Sequence, residues 1–257
     1  MPNWELCLFF FFVAATYATV GFGGGSSYLA ILALYSVDFQ VTRSTSLLCN
    51  IVVVAGGVWI FYRNGQLDVR KALPLIVASV PMAFLGGYLP IKETTFFLLL
   101  ANTLIVAAIL TWFQREKNFS QPDAASSNAI ALPNPKSQIR DGVIGGGIGL
   151  LSGMVGIGGG IFLAPILYLT RWAAAKTIAA TSSLFILVNS IAGLGGQMVK
   201  PDFQMDWRFA LPLLAAVFLG GQIGSRLGAV KLPQHWVRRA TALLILYVSV
   251  RLLLKYV

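Results

Sequence analysis

Three consecutive glycines, Gly23-Gly24-Gly25, stand inside an apolar run within Gly21-Phe22-Gly23-Gly24-Gly25-Ser26-Ser27, and the arrangement returns as Gly156-Ile157-Gly158-Gly159-Gly160-Ile161-Phe162. Glycine costs a helix interior about 1 kcal/mol per residue, and amides left unpaired in hydrocarbon cost more, so a doubled break of this kind needs a local reason. A helix that stops at such a loop and restarts beyond it aims the free amides of the new helix, and the positive end of its dipole, into the gap. That favours an anion. Glycines also let helices pack closely, but the same feature at matching positions in two copies argues for more than packing.

The setting of the glycines fixes the class. The 257-residue chain is 57% hydrophobic and 11% charged, with a mean hydropathy of +0.77, which excludes an ordinary soluble domain and marks a multi-pass membrane protein, expected in the cell inner membrane. Trp4 to Val20 lacks a positive leader and a cleavage site, so it is expected to remain as a first span. The net charge of +10 does not point to nucleic acid, because the Lys and Arg residues fall at run ends and in loops, where they anchor the chain to anionic lipid and set its orientation. Cys7 and Cys49 lie in apolar runs without metal or disulfide spacing and read as small buried hydrophobes.

Apolar runs fall at about 4–20, 25–36, 42–62, 71–90, 94–113, 142–155, 160–170, 177–198, 207–228 and 236–255, the second and seventh too short to span. The stretch 114–141 turns to Gln, Asn, Ser, Pro and charge, which cannot offset ordering by burial. The chain therefore divides into an N-terminal transmembrane repeat, 1–113, a polar linker, 114–141, and a C-terminal repeat, 142–257. Two further matches support the repeat: Gln66-Leu67-Asp68 through Leu73-Pro74-Leu75 against Gln204-Met205-Asp206 through Leu211-Pro212-Leu213, and Phe84-Leu85-Gly86-Gly87 against Phe218-Leu219-Gly220-Gly221. In each copy the Asp is expected to cap the next helix, with the early Pro near the helix start, where its missing N–H is least costly.

Cytoplasmic loops collect Lys and Arg, so the charges discriminate between topologies. If each glycine-broken pair makes one crossing, the split is eleven against eight. If each pair enters and returns, Arg63, Arg70, Lys71, Arg115, Lys117, Lys136, Arg140, Arg171, Lys176, Arg226, Lys231, Arg238 and Arg239 share one side, thirteen against six (Arg43, Lys92, Lys200, Arg208, Arg251, Lys255). The second arrangement is expected: an all-α membrane protein of two inverted repeats, each a glycine-broken re-entrant helix pair followed by three transmembrane helices. The linker is then cytoplasmic, and both loops meet at the midplane, where transporter sites sit.

The candidate substrate-binding residues are Gly23, Gly24, Gly25, Ser26 and Ser27 with Ser44, Thr45, Ser46 and Asn50 in one half. In the other they are Gly158, Gly159 and Gly160 with Thr181, Ser182, Ser183 and Asn189. Hydroxyls and amides donate to oxyanions, although in a membrane such groups also bond back to the preceding turn or to a neighbouring helix. All nine carboxylates lie at run ends or in loops, which disfavours a metal-cation cage or an intramembrane proton relay. His235 sits in a basic loop, Ser152 has no base in its span, and no phosphate-binding GxxxxGK pattern occurs, so neither an enzyme nor a nucleotide-driven pump is expected, and no cofactor or metal is implied. Gly145, Gly149 and Gly153, and later Gly220, Gly224 and Gly228, form small faces that suit helix packing within one subunit or a homo-oligomer. The alternative to a carrier is a non-transporting scaffold or partner-binding subunit, for which those faces would be interaction surfaces.

The glycine loop followed by an apolar half-helix and a Thr/Ser-rich span, repeated in the same order after a polar linker, resembles the sulfite exporter TauE/SafE family, also called TSUP permeases. The resemblance covers nearly the whole chain, and Val155-Gly156-Ile157-Gly158-Gly159-Gly160 with Pro165 carries it most closely. The first copy departs from the pattern with Ser26, Ser27 and Tyr28 and no proline at Ala30. The resemblance implies a membrane carrier for a sulfur-containing anion such as sulfite or a sulfonate.

Overall fold

The computed structural model describes residues 4–19, 21–113, 135–170, 172–201 and 203–227, with positions 246, 250, 253 and 254. The expected linker residues 114–134, His235 and most of the expected last span, 236–255, lie outside the described residues. The described chain is helical: α1 (Trp4–Ala18), α2 (Gly25–Leu34), α3 (Phe39–Arg63), α4 (Val69–Tyr88), α5 (Glu93–Phe113), α6 (Pro135–Val155), α7 (Gly160–Leu169), α8 (Ala175–Met198) and α9 (Trp207–Leu227). Among the described residues, α3, α4, α8 and α9 are long and apolar enough to cross a membrane, and α2 and α7 are half-length.

The helix starts follow from local chemistry. Asp38 accepts from the N–H groups of Gln40 at 2.8 Å and Val41 at 3.2 Å, so α3 opens three residues before its apolar run. Asp68 accepts from Lys71 N at 3.0 Å and Asp206 from Phe209 N at 3.1 Å, the two caps expected from the repeat. Pro74 and Pro212 depart from expectation: each lies inside its helix rather than in the first turn, because the caps begin α4 and α9 further upstream. α6 likewise begins at Pro135 and not at 142, since proline at the first helical position forfeits only an N–H that would have no helical partner.

Each glycine-broken pair folds back on itself. Tyr35, just beyond α2, donates from Oη to Glu5 Oε2 in the first turn of α1, at 3.2 Å. Trp172, just beyond α7, donates from Nε1 to Asp141 Oδ2 near the start of α6, at 2.8 Å. Asp141 is buried and also pairs with Arg140 at 3.0 Å. The ammonium of Lys71, which lies 4.6 Å from the centre of the Trp172 ring, puts the start of α4 at the same end of the bundle.

The halves pack by exchange. α4 lies against α6 and α8, α9 lies against α1 and α3, and α3 and α8 pack on each other between them. The small faces make these contacts close: a Cβ on Gly145, Gly149 or Gly153 would strike the backbone of Leu75, Ser79 or Ala83, in a register advancing four residues at a time along both helices. α4 and α6 therefore run side by side in the same direction. Gly220 and Gly224 meet Phe11 and Ala15 of α1 in the same way. These described glycine faces are thus consumed within the chain, where they let backbones approach in the absence of a hydrophobic driving force. Outward, α4 and α9 expose Leu73, Val77, Phe84, Leu211, Phe218 and Leu219, a surface suited to lipid.

Candidate functional site

Both half-helices start from a left-handed glycine. Gly24 caps α2 at φ 85° and Gly159 caps α7 at φ 81°, angles that cost a residue with a Cβ about 1–2 kcal/mol. Gly156 and Gly158 are also left-handed, at φ 85° and 84°. Among the described residues no hydrogen bond takes up the N–H groups of Gly25, Ser26, Gly160 or Ile161, so the first turns of α2 and α7 present free donors inside a buried site.

The two loops, remote in sequence, meet in space. A Cβ on Gly25 would sit 2.6 Å from the carbonyl oxygen of Ile157. Asn50, from α3, stands between them: its Nδ2 donates to Ile157 O at 3.0 Å, while its Oδ1 has no partner and faces Gly23 and Gly25. Ser46, one turn earlier, has a single hydroxyl hydrogen shared between Gly25 O at 3.1 Å and Gly156 O at 3.2 Å. Ser183 of α8 donates to Gly21 O and to Ala179 O. Each half thus ties down the other half's loop through its own central helix.

The remaining expected residues divide. Ser27 Oγ pairs with Tyr17 Oη at 2.9 Å, and Ser44 bonds back to Gln40 O at 2.9 Å. Ser26 is buried at the first turn of α2. Thr45, Thr181, Ser182 and Asn189 are fully buried with side-chain polar atoms that have no hydrogen-bond partner among the described residues. Ser182 lies on the face that α8 turns to Gly160.

Two residues of the site escaped the sequence reading. Ser190 Oγ and Asn50 Nδ2 both lie 2.9 Å from where a Cβ on Gly158 would be, and Ser152 packs beneath Gly159; the hydroxyls of both serines are buried without a partner. The signal available for Ser190 was its place next to Asn189, inside a span that, like α3, carries six buried polar or charged side chains. A buried donor without a partner costs about 1–3 kcal/mol, and native folds keep few of them without a reason such as a ligand.

Arg43 also departs from expectation. Placed by sequence among interfacial charges, it is 3% exposed, donates from Nη2 to Gly153 O at 3.2 Å and lays its backbone against Gly156. The loops themselves are lined by neutral dipoles: amides, hydroxyls and one carboxamide. Such groups can hold an oxyanion without a permanent charge pair to break on release.

Comparison with known proteins supplies the family. The model of the family described as sulfite exporter TauE/SafE matches residues 6–252. A "Probable membrane transporter protein y4hK" from Sinorhizobium fredii is 32% identical over 254 residues, covering 96% of this chain and 97% of that one. A "Probable membrane transporter protein YunE" from Bacillus subtilis is 23% identical over 223 residues, covering 80% and 81%. No solved structure matches the chain. A bundle of apolar helices around two glycine-broken half-helices, matched over nearly its whole length, is a multi-pass membrane transporter rather than an enzyme, and the chain belongs to the sulfite exporter TauE/SafE family.

Proposed function

We propose that the protein exports a small sulfur-containing anion, sulfite, a sulfonate or a related organosulfur oxyanion, by potential-driven uniport through a midplane site formed by the two glycine loops. The observation that carries this reading is the meeting of the loops across Asn50, with left-handed glycines and unpaired first-turn amides on both sides. The sulfur chemistry comes from the family; the anion preference comes from the donors.

The return of α2 to the start of α1 and of α7 to the start of α6 supports two inverted repeats, with the polar linker in the cytoplasm and the loops entering from opposite faces. An inner-membrane location fits the same orientation. With the cell interior negative by about 100 mV, each net negative charge that leaves gains roughly 2.3 kcal/mol, so an anion held by neutral dipoles is expelled by the potential without a coupling ion. In proteoliposomes, a potential set with potassium and valinomycin should change the rate and direction of sulfite flux without a pH gradient. Flux that ignores the potential and follows an imposed proton or sodium gradient would refute uniport.

A further inference from the structure

Tyr28, Asn50, Ser152 and Ser190 all approach the glycine loops, and each has a buried polar atom without a hydrogen-bond partner among the described residues. Three of these atoms are hydroxyls, which donate or accept as a ligand requires. Asn50 Oδ1 is different, because a carboxamide oxygen can only accept. Its identity is fixed by the other end of the group: Nδ2 lies 3.0 Å from the carbonyl oxygen of Ile157, and turning the amide over would set two acceptors against each other there. Oδ1 is therefore aimed at the first loop, where it meets the positions that a Cβ on Gly23 or Gly25 would take, the second at 2.9 Å. Asn50 itself is fully buried.

A fully deprotonated oxyanion does not answer this atom. The unpaired first-turn amides of α2 and α7 and the serine hydroxyls offer donors to its oxygens, but beside Asn50 an oxygen would face an oxygen, and a buried carbonyl left without a donor is costly. An anion that brings its own O–H satisfies both demands: its unprotonated oxygens take the donors, and its one hydrogen goes to the carboxamide. The titratable and charged groups around Asn50 are Tyr17 on α1, which pairs with Ser27, Tyr28 on α2, and Arg43 and Cys49 on α3. Of the other helices packed on α3, α8 and α9 contribute Lys176, Arg208 and Arg226, all in end turns. No carboxylate or imidazole is among these groups, so the hydrogen that Oδ1 calls for has to come with the ligand.

We propose that the glycine-loop site selects the protonated monoanion, hydrogensulfite in its O–H form, over the sulfite dianion, and that Asn50 Oδ1 is the acceptor that reads the proton. The inference rests on the loop site proposed above and specifies its ligand. One net negative charge then leaves with each turnover, and the proton leaves on the substrate, so transport needs no titratable side chain at depth.

The test is calorimetric titration of two probes into the full chain in phosphatidylcholine nanodiscs, between about pH 6 and pH 9. Sulfite takes up its proton near neutrality. Methanesulfinate has the same pyramidal SO2 group with a methyl in place of the hydroxyl, and it stays a monoanion throughout. Affinity for total sulfite should be greatest at the acid end and, above the pKa of hydrogensulfite, fall about tenfold per pH unit, because the form that binds is titrated away. Methanesulfinate should bind roughly tenfold more weakly than sulfite does at the acid end. Its affinity should not change with pH, which controls for titration of Tyr28, Cys49 and the protein's other groups. Asn50→Leu should bring sulfite at acid pH down to the methanesulfinate level; should that variant not fold, the wild-type comparison decides. Methanesulfinate binding as tightly as sulfite at the acid end, or a sulfite affinity that is flat with pH, would overturn the proposal. Failure of the loop site itself reads differently: sulfite binding that survives Gly159→Val puts the anion elsewhere, and this inference falls with the site.

Discussion

The first glycine loop is the more heavily braced of the two, although the Tyr28 hydroxyl beside Gly24 and Asn50 Oδ1 beside Gly23 and Gly25 are also buried without a partner among the described residues. Around Gly21 to Ser27, the carbonyl of Gly21 accepts from Ser183, Ser27 pairs with Tyr17, and the Gly25 carbonyl shares the Ser46 hydroxyl. Around Gly156 to Phe162 the carbonyls are also taken, by Ser46 and Asn50, but the neighbouring hydroxyls of Ser152, Ser182 and Ser190 have no protein partner. Duplication has kept the backbone device and let the side chains diverge. Ser46 and Ser183 make equivalent reaches into the opposite loop, 137 positions apart (183 − 46); on that register Asn50 corresponds to Leu187, and the polar group of the second half, Ser190, comes one turn later. Under the proposed function, one loop serves chiefly to position the site and the other supplies most of the donors to the ligand.

The sharpest way to break this comparison is to crowd each loop at its helix start. A Cβ on Gly25 meets the Ile157 carbonyl, which is backbone and cannot swing aside, whereas on Gly160 it meets mainly the end of the Ile186 side chain. Gly25→Ala should cost about 2–3 kcal/mol and Gly160→Ala clearly less, read from thermal unfolding in detergent. Equal costs would mean that the loops do not touch as described.

Removing the bridge comes next. Asn50→Leu, which copies the residue at the corresponding position of the other half, leaves the buried Ile157 carbonyl without its donor and should cost about 1–3 kcal/mol together with most of the transport. A variant with unchanged unfolding and flux would remove Asn50 from the junction.

Ser46→Ala and Ser183→Ala should each cost about 1 kcal/mol of stability, because each hydroxyl satisfies a loop carbonyl of the other half. The smallest effect on stability is expected at Ser190. Its hydroxyl has no partner to lose, so Ser190→Ala should leave unfolding within about 0.5 kcal/mol of wild type and yet weaken sulfite binding. Loss of stability without loss of binding would make Ser190 a packing residue.

Much of this was legible in the sequence for physical reasons. Hydrophobic run length found the helices, Asp68 and Asp206 announced their caps, and paired glycines located both half-helices. The buried place of Arg43 was not legible, because Asp38 starts α3 early and carries the arginine inside the bundle, while its position just ahead of Ser44 in an apolar run looked interfacial. Ser190 and Ser152 were missed because whether a lone hydroxyl on an apolar helix faces the site or a neighbour depends on helix rotation, which packing sets. The same limit applies to the expected residues: Ser44 turned to its own helix, whereas Ser46, two positions on, reached both loops.

The central claim is that a bound anion sits on the glycine loops, chiefly the second. Anything that binds only the folded state raises its melting temperature by mass action, so the direct measurement is the stabilisation produced by saturating sulfite in the wild type, Gly24→Val and Gly159→Val. The wild type should be stabilised, Gly24→Val should keep part of the shift, and Gly159→Val should lose it while remaining folded in the membrane. Sulfite stabilising Gly159→Val as strongly as the wild type would contradict the account.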